Sequence, residues 1–484
     1  MSTTEITNKQ LPLKLRVLHR VRLAIAVIVR FFFNLYYGNE GEKIPPITDH
    51  ILKEPAVDVA KKIRNKEISS VEVLEACIRR IKDVNSALNC FVEDRFELAF
   101  KEAKDADALI LSGTKTVEQL EKEKPFLGVP FTTKDCIAVK GLHHTSGVVL
   151  RKDIVAEEDA DVIKLLRDKG AIIIGLTNVP EICMWWETHN HIYGRTNNPY
   201  NTTRIVGGSS GGEGSLQGAA GSIFGIGIGP MTRHAKDLKP LLQIISGENA
   251  SKLKLDEHVD IKKLKIFYQI DSESPLTDPV DKDIVSVMHK VVEYFEKQHN
   301  IKAEEKKIDK LRKSIAIWLT TMKTQRKFGE LIMKKESVGL ILLEILKNIV
   351  GLSGNTFIGL VTALFDYTGV KFGDEKYQQY LKHREDLENV FKNILGDDGV
   401  FLYPSHPTTA PYHNEPLVKA FNFSYTAIIN SLGLPATTIP LGLGRDGLPI
   451  GMQVIANHNN DRLCFAVAEE LDRAFGGWIE PQRS

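Results

Sequence analysis

Gly207-Gly208-Ser209-Ser210-Gly211-Gly212-Glu213-Gly214 is the stretch that decides how this 484-residue chain is read. So little side-chain bulk lets the backbone press closely against its neighbours and leaves the serine hydroxyls open to approach. A phosphate cradle would continue into Gly-Lys-Ser/Thr, and none follows. Ser209 also satisfies Gly-x-Ser-x-Gly, a pattern that wants a strand before it and an aspartate and a histidine after it. Only the short Ile205-Val206 precedes it, with His234 and His406 downstream, so a histidine-assisted esterase stands as an alternative.

Upstream lies Gly128-Val129-Pro130-Phe131-Thr132-Thr133-Lys134-Asp135, an apolar run that delivers a lysine. Cleaving an amide requires a nucleophile, a proton acceptor, donors for the oxyanion and a proton for the departing nitrogen. A lysine can be the acceptor where burial lowers its pKa from about 10.4. A serine can bridge, taking a proton from a second serine and passing it to a neutral lysine. The same relay in reverse protonates the leaving amine.

These two segments resemble the two motifs of the amidase signature family. Leu432-Gly-Leu-Pro-Ala436, Pro440-Leu-Gly442 and Gly447-Leu-Pro-Ile-Gly451-Met-Gln453 resemble its C-terminal pattern, and the likeness covers residues 50–480. Within the family the chain is similar to the membrane-associated fatty-acid amide hydrolases. The resemblance implies an α/β amidase-signature fold, a mixed central sheet flanked by helices, with an N-terminal membrane-associated helix. It implies Lys134 as base and Ser209 as bridging serine, with Cys183 lining the substrate pocket. It implies amide-bond hydrolysis of fatty-acid amides, with a lipid ligand and a membrane surface as partners and a possible homodimer. Neither a cofactor nor a metal is implied.

The family's nucleophile sits in an Asp-Ile-Gly-Gly-Ser-like turn whose backbone amides build the oxyanion hole. That turn is due just after Gly227, where Ile228-Gly229-Pro230-Met231 stands instead. Arg233, Ala235, Asp237 and Leu238 then match the family where it resumes, as a skipped exon would leave it. Ser210, Ser215 and Ser222 precede the gap, and none has two glycines directly before it. The expectation is a truncated amidase, inactive as it stands, or a non-catalytic lipid-binding or dominant-negative partner of intact copies.

Elsewhere the pattern alternates helix and strand. Ser69-Ser70-Val71-Glu72 predicts a helix start, and Val71, Leu74, Ile78 and Ile81 a helical face within 56–107. Helices are also expected within 101–124, 162–169 and 213–224. Strands are expected at 171–175 and 265–268. The apolar stretch 329–366 predicts a helical hairpin, either buried or capping the surface toward lipid. Residues 39–55 read as a linker between a membrane-associating segment, 1–38, and an amidase domain, 39–484, with its deletion near 227–228.

The N-terminus sets Lys9, Lys14, Arg16, Arg20 and Arg22 before an apolar run broken by Arg30. A spanning helix needs about 20 apolar residues. A stripe of Val17, Val21, Ala24, Ile28, Phe31 and Leu35 fits a helix lying in the headgroup boundary, at the endoplasmic reticulum or a lipid droplet, with a short spanning anchor or a cleaved signal peptide as the alternatives. Sixty-three basic against 62 acidic residues give no reason to expect nucleic acid. The five cysteines (Cys77, Cys90, Cys136, Cys183, Cys464) form no CxxC pair, so a disulfide framework or metal site is not expected. The sequons at Asn201, Asn249 and Asn422 are read as unused.

Overall fold

In the computed structural model, residues 13–38, 41–323 and 327–481 are described. They divide into two compact units, taken from the described parts of Glu40–Ala250, Arg326–Thr368 and Glu480–Ser484, and of Met1–Asn39, Ser251–Gln325 and Gly369–Ile479.

The unit carrying both sequence motifs is built on a mixed five-stranded sheet. Its order is Phe91–Asp94, Ile172–Thr177, Pro130–Lys134, Phe224–Ile226 and Pro230–Met231. The three inner strands run parallel and the two edge strands antiparallel. Every residue of Pro130–Lys134 and of Ile172–Thr177 is buried, as expected of parallel strands covered on both faces. Helix Ser70–Leu88 starts where expected, with a complete capping box between Ser69 and Glu72. The helical reading of 56–107 is broken by strand Phe91–Asp94 once Asn89 takes a left-handed cap. The helix expected over 213–224 spans Gly211–Gly218 instead, and Phe224–Ile226 joins the sheet. At 175 a Cβ would come within 2.3 Å of both Phe91 and the Glu93 carbonyl, so only glycine lets the edge strand close there.

After Ile226 the chain reverses at once. Gly225 pairs with Met231 and Ile226 with Pro230, and the Gly227 amide donates to the Gly229 carbonyl at 2.9 Å. Ile228 at the tip is 93% exposed. Arg233 then enters the interior. Its guanidinium donates to the carbonyls of Leu52 (2.6 Å) and Ser222 (2.7 Å) and to the Gln217 side chain (3.0 Å). The 329–366 hairpin forms as helices Val338–Ile349 and Phe357–Thr368. Ile341, Leu360 and Ala363 are buried on its inner face; Leu342, Leu343, Leu346, Ile349, Val350 and Phe365 are exposed on the other. Glu181 closes the second helix, accepting from the Thr356 amide (2.9 Å) and hydroxyl (2.6 Å).

The other unit has its own mixed sheet: Glu304–Glu305, Lys265–Tyr268, Gly399–Pro404, Pro449–Ala456 and Ala436–Leu443. The single mixed sheet of the expectation is thus two five-stranded sheets, one in each unit. Helix Leu13–Tyr37 packs within this second unit. Arg22 pairs with Asp278 at 2.8 Å, His19 meets the Pro275 carbonyl at 2.6 Å, and Tyr37 stacks on Tyr412. Val17, Val21, Ile28, Phe31 and Leu35 of the expected stripe remain exposed. Lys9 and the side chains of Lys14 and Arg16 lie outside the described residues. Among the described residues no helix is long and apolar enough to cross a membrane.

Replacing Arg233 by alanine leaves several buried carbonyls without a donor and opens a cavity. The expected loss is about 3 kcal/mol or more in urea unfolding, and an unchanged midpoint would contradict the anchoring role.

Candidate functional site

Lys134 is the last residue of its strand and only 1% exposed. Its Nζ lies 3.0 Å from the Ser209 Oγ, donating to it. Residues 75 apart in sequence therefore form one contact, and two kinds of local constraint bring them together. The first is the sheet. The Thr133 hydroxyl bonds the Ile226 carbonyl at 3.0 Å, and the Asp135 amide bonds the Thr177 carbonyl at 3.0 Å, fixing the strand end. Asp135 is itself consumed by a turn, accepting from the amides of Thr145 (3.0 Å) and Gly147 (3.1 Å) and from the Thr145 hydroxyl (2.5 Å). It is a clamp on the loop, with three of its acceptor sites taken by the turn.

The second constraint is the glycine loop. A Cβ at 208 would stand 2.5 Å from the Trp185 carbonyl, one at 211 would stand 2.0 Å from the Thr188 hydroxyl, and one at 212 would stand 2.3 Å from the Asn178 amide. The loop is pressed against the Trp185 and Asn178 backbone and the Thr188 side chain, and no larger residue fits there. The Gly208–Ser209 peptide is cis. Ser210 lies beside the tip of the 226–230 reversal, since a Cβ on Gly227 would meet its Oγ at 3.0 Å.

Beneath the contact is Glu213, fully buried. It accepts from Thr132 (2.9 Å) and Thr177 (3.0 Å), one hydroxyl from each of the two central strands. Burial outweighs these donors and pushes its carboxyl up to about 7. Cys183 follows strand Ile172–Thr177 and Cys136 lies two residues past Lys134; both are partly exposed. The neighbouring Cys183 thiol and the nearby Lys134 charge hold the Cys136 thiol down to about 7 against burial and Asp135, and the Cys183 thiol is raised. The histidines of the esterase alternative are engaged elsewhere: His234 with the Lys53 carbonyl at 2.8 Å, His406 with the Thr408 carbonyl at 2.9 Å. Sequence reasoning singled out Lys134, Ser209 and Cys183. It missed Glu213, Asp135 and Cys136, although the Thr-Thr-Lys-Asp-Cys spelling places all but Glu213 within two residues of the strand end.

The geometry pairs a buried lysine with a glycine-cradled serine on an α/β sheet, and the family model described as Amidase matches residues 72–227 and 228–465. The chain belongs to the amidase signature family. It is 39% identical to fatty-acid amide hydrolase 2-B of Danio rerio over 520 residues, covering 96% of this chain and 98% of the relative. It is 38% identical to fatty-acid amide hydrolase 2 of Homo sapiens, covering 90% and 92%. Among solved structures the amidase is similar to a fatty acid amide hydrolase, with a TM-score of 0.69, 19% identity and coverage of 91% and 88%. It is also similar to a bacterial aryl acylamidase, with a TM-score of 0.67, 18% identity and coverage of 88% and 97%. These last two show the fold.

Glu213 makes this amidase pH-sensitive in a definite direction. Its folded pKa of about 7 lies above the ordinary 4.5, so the folded state keeps a proton that the unfolded chain gives up. That contribution is complete below pH 4.5 and is lost as the pH rises toward 7, by up to about 3 kcal/mol. Glu181, also pushed up to about 7 by burial, adds to the same fall. Urea unfolding at several pH values between 4.5 and 7.5 should give Glu213→Gln a shallower decline than wild type; identical slopes would show that the carboxyl titrates normally.

Proposed function

We propose that this chain is built on the scaffold of a fatty-acid amide hydrolase that keeps the proton relay and lacks the nucleophile. In this reading Lys134 is the relay's base, Ser209 its bridging serine, and Cys183 lines the acyl pocket. The observation that carries it is the junction at 227–228. The family match breaks between these two residues. The alignment with the zebrafish relative runs over 520 positions, more than the 484 residues of this chain, while taking in nearly all of the relative. The reversal at Gly227-Ile228-Gly229 supplies no hydroxyl and spends the Gly227 amide on its own turn. Losing one oxyanion donor alone costs about 10²–10³ in rate; here the attacking group is missing as well.

A membrane surface and a long-chain amide are the proposed partners. Two exposed apolar faces support this: the outer side of Val338–Ile349 and Phe357–Thr368, and the N-terminal helix from Val17 to Leu35. An exposed apolar patch on this scale needs a partner, and a bilayer at the endoplasmic reticulum or a lipid droplet supplies one. These same faces favour the second reading, a non-catalytic lipid-binding form able to pair with intact copies.

Purified chain treated with a fluorophosphonate probe and offered oleamide is expected to show neither a serine adduct nor turnover. Stoichiometric labelling together with hydrolysis abolished by Lys134→Ala would overturn the proposal. Flotation with phosphatidylcholine vesicles should carry wild type upward and lose most of that fraction in the Leu346→Asp, Ile349→Asp double variant. Equal flotation would remove the hairpin from the membrane contact.

A further inference from the structure

Glu181 is a buried carboxyl with no cation to answer it. It is 4% exposed and stands at the start of helix Phe357–Thr368, the second arm of the apolar hairpin. Its Oε2 accepts both the amide (2.9 Å) and the hydroxyl (2.6 Å) of Thr356. That hydroxyl in turn accepts the Gly359 amide at 3.0 Å, so the first turn of the helix closes through Thr356 onto Glu181. A Cβ at 359 would stand 2.3 Å from Oε2, and only glycine lets the carboxyl sit so near the helix. The other oxygen, Oε1, is buried with no hydrogen-bond partner among the described residues.

The charged groups of the surrounding elements are engaged with other partners. On the hairpin and its approach, Lys347 pairs with Glu344 at 2.7 Å, Asp366 accepts the Phe328 amide at 3.0 Å, and Glu336 accepts the Gly329 amide at 3.3 Å. Lys327 lies over the Tyr367 ring. On the loop past Lys134, Arg151 donates to the His144 carbonyl at 3.0 Å and Asp135 holds the Thr145–Gly147 turn. The Cys183 thiol is two residues along the same segment. Burial opposes a charge on Glu181, Thr356 alone favours it, and burial prevails, raising the carboxyl to about 7.

The segment that carries Glu181 also joins the hairpin to the Lys134–Ser209 centre. Ile182 and Met184 pack against the hairpin core of Ile341, Leu360 and Ala363. The Ile182 amide donates to the Ser146 carbonyl at 2.8 Å, inside the turn held by Asp135. The Trp185 carbonyl is the group pressed against Gly208, directly before Ser209. Ile182 and Cys183 both have φ of +54°, a left-handed backbone that is costly for a β-branched residue and persists only where its surroundings hold it. Glu181 is the polar tie between this segment and the hairpin.

We propose that Glu181 is a proton-operated latch: neutral, it holds the second hairpin helix against the segment that walls the Ser209 loop, and charged, it lets that helix lift away. The direction follows from where each state keeps the proton. Closed, the carboxyl is out of water and holds its proton up to about pH 7; open, it meets water and gives the proton up near the ordinary 4.5. The closed state has its full advantage below pH 4.5, loses it as the pH rises toward 7, and changes no further beyond. The opening is local to the hairpin, because the sheet beneath is held by its own strand pairing. It does not depend on whether the chain hydrolyses amides.

Backbone hydrogen exchange of the full-length chain, followed by mass spectrometry from pH 5.5 to 8.5 and corrected for the intrinsic rate, reads the latch in peptides from 357–368. Helix Ser70–Leu88 of the same unit is the reference. Protection of 357–368 is expected to fall roughly tenfold or more beyond any change in the reference, and to level off above about pH 7. Glu181→Gln keeps an acceptor for Thr356 and cannot ionise, so it should abolish the excess fall. Equal changes in the two helices of wild type, a fall that continues undiminished to pH 8.5, or an excess that survives in Glu181→Gln would each overturn the proposal. If the variant fails to fold, the wild-type profile decides alone, through the excess and its levelling.

Discussion

A lysine amine almost wholly removed from water, set against a serine hydroxyl, is the constraint around which the sheet-bearing unit with both motifs is organised. Burying such a group is costly unless its surroundings are polar and well ordered. The surroundings here are supplied by the two central strands and the helix that follows the glycine loop. Thr132 and Thr177 point hydroxyls at Glu213, Thr133 ties to Ile226, and Asp135 locks the turn beyond the strand. Each of these polar groups is buried and each has a partner, so the cluster rigidifies the site in place of weakening it. The Lys134–Ser209 contact is one link of a lattice that spans three strands and a helix.

That lattice explains which parts of the site could be read from sequence. The Gly207–Gly214 spelling announces close backbone approach, and at 208, 211 and 212 the approach is near enough to exclude a Cβ. The Ser69/Glu72 pair announces a capped helix, and the cap is complete. Strand Ile172–Thr177 follows from a short β-branched run. What could not be read were relations set by tertiary packing. Nothing local shows that Glu213, inside a helix, ends up beneath two threonines from different strands. Nothing in a 47-residue separation shows that the Cys136 and Cys183 thiols influence one another. The 56–107 helical pattern concealed a strand because Phe91-Val92 at an edge has too few residues to show a period of two. The two sheets were read as one because the pattern of strands carries no information on which strand pairs with which.

The reversal at residues 226–230 shows how a sheet can absorb an abrupt change of course. Phe224–Ile226 holds its place by parallel pairing with the lysine strand, a pairing independent of the residues beyond 226. Two glycines make a three-residue tip possible, and Pro230, which has no amide proton to give, suits the outer edge. Arg233 then reattaches the chain to the interior through backbone carbonyls of segments that precede the turn. The junction is thus closed by edge pairing on one side and by a buried guanidinium on the other. The cost falls on Ile228, an apolar side chain left in water.

Retention of the lysine–serine pair, whatever becomes of the nucleophile in the proposed reading, follows from the same physics. A group kept only for chemistry would be free to drift once the chemistry ended. Lys134 and Ser209 are not free in that sense. Removing Ser209 leaves the buried Lys134 amine without this partner, and the glycines around Ser209 are fixed by packing against Trp185, Thr188 and Asn178. The relay's geometry is thereby a consequence of packing and polar satisfaction. For that reason the presence of a well-formed lysine–serine pair identifies the family and its fold. In the proposed reading turnover would need a separate element, the loop after Phe224–Ile226, whose geometry this lattice does not specify.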